Sequence, residues 1–126
     1  MVTTTAFTLT TVNLSAPDPR ALADFYQTLL GWDRGADEPG WVTLRPPGGG
    51  IGLAFQSEAG YRSPTWPARP GKQQMMAHLE IRVSELADAV ARAVQLGARL
   101  AEFQPQDDVR VCLDPAGHPF CLWIET

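Results

Sequence analysis

The chain has 126 residues, with ten Lys and Arg against fourteen Asp and Glu and a formal net charge of −4, which suits one ordinary domain able to bury a core. Its few cations are scattered without a basic stripe, so nucleic acid is not an expected partner. No apolar run is long enough to span a bilayer, the opening MVTTTAFTLTT lacks a basic region followed by an apolar block, and Cys112 and Cys121 are too few for a disulfide framework. The expected setting is the cytoplasm, with no membrane partner.

Phe7 to Ala16 alternates as a strand, with Val12, Leu14 and Ala16 on one face and Thr11, Asn13 and Ser15 on the other. Asp18-Pro19 then starts a helix: the carboxylate can accept from free backbone amides, and proline is preorganised for the first turn. Leu22, Phe25, Tyr26, Leu29 and Leu30 recur at helical spacing until Gly31 ends the run. Short strands are expected near Trp32 to Arg34, Trp41 to Arg45 and Ile51 to Gln56, separated by Pro- and Gly-bearing turns. Residues 57–75 have no periodicity and hold three prolines, and they read as a linker.

The order then restarts. His78 to Val83 reads as a strand, Ser84 with Asp88 as the opening of a second helix, and Gly97 as its stop. Strands follow at Arg99 to Phe103, Val109 to Leu113 and Phe120 to Glu125, the last two joined by the turn Asp114-Pro115-Ala116-Gly117-His118-Pro119. Cys112 and Cys121 flank that turn, a placement that would let them face each other across the hairpin. Matching Thr11 with His78 also matches Leu14 with Ile81 and Ala16 with Val83. The chain therefore reads as an α+β fold of two βαβββ modules, about 7–56 and 76–126, whose sheets lie edge to edge and curve into a trough.

The helix ending FYQTLLGW, the WP-containing linker running into HLEIRV, and the closing DPAGHPFCLWIE resemble the vicinal oxygen chelate superfamily, and within it the glyoxalase-like subgroup. That superfamily includes glyoxalase I, bleomycin-resistance proteins, fosfomycin-resistance enzymes and extradiol dioxygenases. The resemblance covers nearly the whole chain and implies the two-module trough fold and a homodimer. It also implies metal ligands on the first and last strands of each module, which fall here on Thr11, Gly52, His78 and Cys121. Only His78 is a usual ligand of such sites, so the chelating site reads as lost and no metal cofactor is expected. A shifted site from His78, Glu80 and Glu125 is the one alternative, with Arg82 placed to neutralise the two carboxylates.

The trough lining then carries the function. His78 and Glu80 are candidate catalytic residues, a general base or a donor to a substrate oxygen and its orienting carboxylate. Thr11, Asn13, Thr43 and Gln56 offer neutral hydrogen bonding, Trp41 and Trp123 offer aromatic walls, Trp66 and Tyr61 lie in a linker able to cover the mouth, and Arg82 and Cys121 complete the candidate ligand-binding set. The leading expectation is a glyoxalase- or bleomycin-resistance-like protein that binds a small aromatic or hydrophobic metabolite without metal. The alternative is an enzyme of the same superfamily: a metal-free isomerase or cyclase using His78 and Glu80, or a lyase or dioxygenase with a divalent metal. A third class is a structural or regulatory partner of another protein.

Overall fold

Two amphipathic helices and eight strands alternate in the order strand, helix, three strands, twice over, in a computed structural model that describes residues 5–125. Residues 1–4, part of the segment read for a leader, and residue 126 lie outside the described residues. The first module holds β1 (Thr11–Ala16), α1 (Pro19–Leu30), β2 (Asp33–Glu38), β3 (Trp41–Arg45) and β4 (Gly52–Ser57). The second holds β5 (Leu79–Arg82), α2 (Leu86–Leu96), β6 (Arg99–Leu100), β7 (Val109–Leu113) and β8 (Pro119–Trp123). Each module forms its own four-stranded mixed sheet, in the orders β1-β4-β3-β2 and β5-β8-β7-β6. In both, the first strand runs parallel to the last and the rest are antiparallel.

Local chemistry explains the boundaries. Asp18 caps α1 by accepting from the Ala21 amide at 3.2 Å, Pro19 fills the first turn, and Gly31 takes the left-handed conformation at φ 71°. Glu85 rather than Ser84 caps α2, because its longer side chain folds back to accept from the Ala87 and Asp88 amides. β6 stops after two residues instead of reaching Phe103. The Gln104 side chain explains this: it accepts from the Val111 amide and donates to the Ala101 and Val111 carbonyls, all at 2.8 Å, in place of a longer backbone ladder.

The two modules share one core. α1 packs on its own sheet and α2 on the other, and the helices touch each other. Tyr26 stacks on Phe55 of β4 at 5.8 Å between ring centres and meets Phe120 of β8 edge-on at 6.0 Å, while Phe25 lies 5.9 Å from Phe120. Leu22, Leu44, Leu53, Cys112 and Leu122 fill the space around them. The Tyr26 hydroxyl donates to Asp114 at 2.8 Å, and the other Asp114 oxygen accepts from the Ala116 and His118 amides. That buried carboxylate shapes the β7–β8 turn, and the desolvation raises its pKa.

Two expectations are corrected here. The cysteines do not face each other: Cys112 pairs with Phe120 inside the core, whereas Cys121 pairs with Val111 and so faces the opposite side of the sheet. The modules also meet through their helix-covered faces, and among the described residues no strand of one sheet lies beside a strand of the other. The edge strands β1 and β5 therefore each keep one side unpaired by any of these strands.

Tyr26→Phe keeps the ring packing but removes the Asp114 donor. It is expected to lower unfolding free energy by about 1–3 kcal/mol, the cost of a buried acceptor left short of a partner, as read by the shift in denaturation midpoint at unchanged slope.

Candidate functional site

Strand alternation gives each sheet a second face turned away from the core. In the first module that face carries Thr11 and Asn13 of β1, Trp41 and Thr43 of β3, and Gly52, Ala54 and Gln56 of β4. Asn13 donates to Gln56 at 2.8 Å, and Trp41 lies opposite Gln56 in the β3–β4 register. An amide pair thus lies beside an indole that remains 36% exposed. The Thr11 hydroxyl donates to the Thr10 hydroxyl, and Thr43 accepts from the Ala36 amide at the β2 irregularity, which ties it to the sheet.

The second module presents His78, just before β5, with Glu80 and Arg82 of β5 and Cys121 and Trp123 of β8. Glu80 lies opposite Cys121, and Arg82 opposite Trp123. His78 Nε2 is in direct contact with Glu80 Oε2. The nearest donor atoms of His78, Glu80 and Cys121 all lie within 4.8 Å of one another. Arg82 binds Glu125 at 2.9 Å, so Glu125 is drawn to the guanidinium while Glu80 goes to the imidazole. The acidic partner in this group is Glu80, with Cys121 beside it in the place anticipated for Glu125. Burial, and then the adjacent Glu80 carboxylate, push the Cys121 thiol up to about 12.

The register also refines the internal repeat. Thr11 lies opposite Gly52, whereas Cys121 lies opposite Glu80. Under the match of Thr11 with His78, the first-module counterparts of Glu80 and Cys121 are Asn13 and Ala54. Metal-binding side chains are thus gathered in the second module, and the first offers neutral groups. A four-ligand site for a hard ion of the Mg or Mn type, drawing on both modules, does not fit these residues. Gly52 could not be restored as a ligand without disturbing the sheet, because a Cβ there meets the Leu44 carbonyl oxygen at 2.6 Å.

The linker folds differently from a simple cover. Residues 65–74 close on themselves through the Thr65 amide to the Gln73 carbonyl at 2.9 Å. Trp66 packs on Phe103 and donates to its carbonyl at 3.1 Å. Tyr61 donates to the Ala116 carbonyl and contacts His118, whose Nε2 lies 2.7 Å from the Ser15 carbonyl. His118 therefore links the β7–β8 turn to the free edge of β1, a role visible only once the chain is folded. A cavity of about 430 Å³ opens along this seam, lined by Asn13, Ser15, Tyr61, Arg62, Gln74 and His118 among others. Of the trough residues named from sequence, Asn13 and Tyr61 line it.

A family model described as a glyoxalase-like domain matches residues 11–123. The chain belongs to the glyoxalase-like domain family. Solved structures agree on the fold. A possible glyoxalase from Bacillus cereus is 14% identical with a TM-score of 0.67, over 94% of this chain and 99% of that one. A glyoxalase/bleomycin resistance protein/dioxygenase family enzyme from Burkholderia phytofirmans is 18% identical with a TM-score of 0.65, over 91% and 96%. An antibiotic binding protein from a Streptomyces species is 18% identical with a TM-score of 0.58, over 98% and 100%. No curated protein matches the sequence. Among the described residues of this glyoxalase-like protein, no helix is long and apolar enough to cross a membrane.

Gly52→Ala tests whether position 52 can carry any side chain. The added methyl must push the Leu44 carbonyl away, and the expected cost is about 1–3 kcal/mol of unfolding free energy by chemical denaturation. Ala54→Gly is not expected to show a clash of this kind.

Proposed function

We propose that this glyoxalase-like protein binds a small aromatic or hydrophobic metabolite on its trough faces, as a cytoplasmic homodimer. The carrying observation is the position of Trp41 and Trp123. Both indoles stand on faces turned from the core, Trp41 beside the Asn13–Gln56 amide pair and Trp123 beside Arg82. Apolar walls with a few fixed polar groups are what organic ligands need, and neutral amides favour an uncharged or weakly polar molecule over a phosphate. The chain's own side chains hold the ligand in this reading, without a hard ion chelated between modules. That a structural relative is named an antibiotic binding protein supports binding as a function for this fold.

The homodimer is supported by the two edge strands. Among the described residues β1 and β5 each pair with one neighbouring strand, and two-fold assembly lets the β1 edge of one chain meet the β5 edge of another. Such a pair brings an amide-and-indole face beside the His78–Glu80 face and completes a trough that one chain leaves open. Sedimentation equilibrium is expected to return twice the chain mass.

The contact between His78 and Glu80 favours a second reading, acid–base catalysis of an isomerase or cyclase type. A carboxylate held on the imidazole fixes the orientation of its ring. The two readings separate experimentally. A thermal-shift screen of aromatic metabolites and antibiotics identifies a ligand, and quenching of tryptophan fluorescence measures its affinity. Binding predicts that Trp123→Ala weakens affinity about tenfold or more, in line with about 1–3 kcal/mol for a lost aromatic stacking wall, while His78→Ala changes it only a few-fold. Turnover of that ligand, abolished in His78→Ala and Glu80→Gln, establishes the enzyme instead.

A further inference from the structure

His78, Glu80 and Cys121 form the one group of three metal-ligating side chains found among the described residues, and it is built differently from an ordinary ion pair. Glu80 and Cys121 are direct register partners on adjacent parallel strands, and His78 lies two residues before Glu80 on the same face. The sheet therefore fixes three backbone positions, and only side-chain rotation remains to bring the donors together. Their donor atoms already lie within 4.8 Å of one another. Zinc–sulfur and zinc–nitrogen bonds of about 2.3 and 2.0–2.1 Å place tetrahedral donors roughly 3.3–3.7 Å apart, so admitting an ion takes side-chain movement of about an ångström, in which the His78–Glu80 contact opens. The His78 side chain is 32% exposed and that of Glu80 is 51% exposed, which leaves the solvent side open for a fourth ligand.

We propose that His78, Glu80 and Cys121 form a three-ligand site for a thiophilic divalent ion of the zinc type, contained in the second module and open at its fourth position. The donor set decides the class of ion. One thiol, one imidazole and one carboxylate suit a borderline-soft ion that accepts four-coordinate geometry. Magnesium and manganese prefer oxygen donors in an octahedron, and a cysteine contributes little to either. Arg82 does not compete for the group, since its guanidinium is held by Glu125. Cys112 cannot contribute, because it faces the core on the other side of the sheet. The site shares its face with Trp123, yet it is tested independently of metabolite binding: a trough that takes no organic molecule leaves the three ligands in place, and an empty metal site leaves the indole walls in place.

Cobalt(II) titration of the reduced full-length protein, freed of metal by chelator, tests this. Cobalt in a thiolate-containing tetrahedral site gives a sulfur-to-metal charge-transfer band and intense visible bands. The expected result is saturation at one cobalt per chain, displacement by zinc, and no competition from excess magnesium. Cys121→Ser is expected to abolish the charge-transfer band, and His78→Ala and Glu80→Gln to weaken cobalt affinity about tenfold or more. Cys112→Ala is expected to keep the band. Far-ultraviolet circular dichroism of each variant confirms that the fold is retained. A band that survives Cys121→Ser, a band lost in Cys112→Ala alone, or no charge-transfer band in the wild-type protein overturns the proposal.

Discussion

Everything else in this fold is arranged around the buried side chain of Tyr26. Its ring lies between Phe55 of the first sheet and Phe120 of the second, and its hydroxyl reaches Asp114 in the last hairpin. One residue of α1 thereby joins two modules that are each incomplete alone. A four-stranded sheet with one helix covers only part of its apolar face, and sharing the aromatic core between modules buries the remainder. The Asp114 carboxylate ties this packing to the turn that positions β8, and with it Cys121 and Trp123.

Because the helix-covered faces are used up in that union, the opposite faces are turned away from the core. They differ in chemistry although the modules share a topology. The first presents Thr11, Asn13, Gln56 and Trp41, which bond and stack without carrying charge. The second presents His78, Glu80, Arg82, Cys121 and Trp123, where the metal-binding trio is gathered, whereas the charged residues of the first face, Asp33, Glu38 and Arg45, lie on β2 and the end of β3, away from β1. A site formed where such faces meet has one neutral wall for recognition and one reactive wall. This division explains why membership of the glyoxalase-like family fixes the architecture without fixing the reaction.

The element order was legible in the sequence because each helix carries its own stop and periodicity, as with Asp18-Pro19 and Gly31 around α1. The faces of the strands were equally legible, since alternation places His78 with Glu80 and Trp41 with Thr43. What alternation does not contain is register between distant strands. That Cys121 lies against Glu80, and Gly52 against Thr11, depends on how β8 and β4 slide along their partners. The Arg82–Glu125 pair was legible from the sequence, whereas Glu80 goes to His78 and not to Arg82. Long-range side-chain contacts were also out of reach: Trp66 on Phe103, and His118 on the Ser15 carbonyl, join residues 37 and 103 positions apart. The Glu85 cap escaped because a glutamate at that position must fold back on its own backbone, which no spacing rule reports.

The central claim is that small organic molecules bind on the trough faces rather than in the seam cavity under the linker. Chemical-shift mapping of isotopically labelled protein with an aromatic ligand tests it most directly, because each indole and side-chain amide reports separately. The account predicts that the Trp41 and Trp123 indole signals and the Asn13 and Gln56 amide signals move together and saturate at one affinity. Shifts confined to Tyr61, Arg62, Gln74 and His118, with both indoles unmoved, would contradict it.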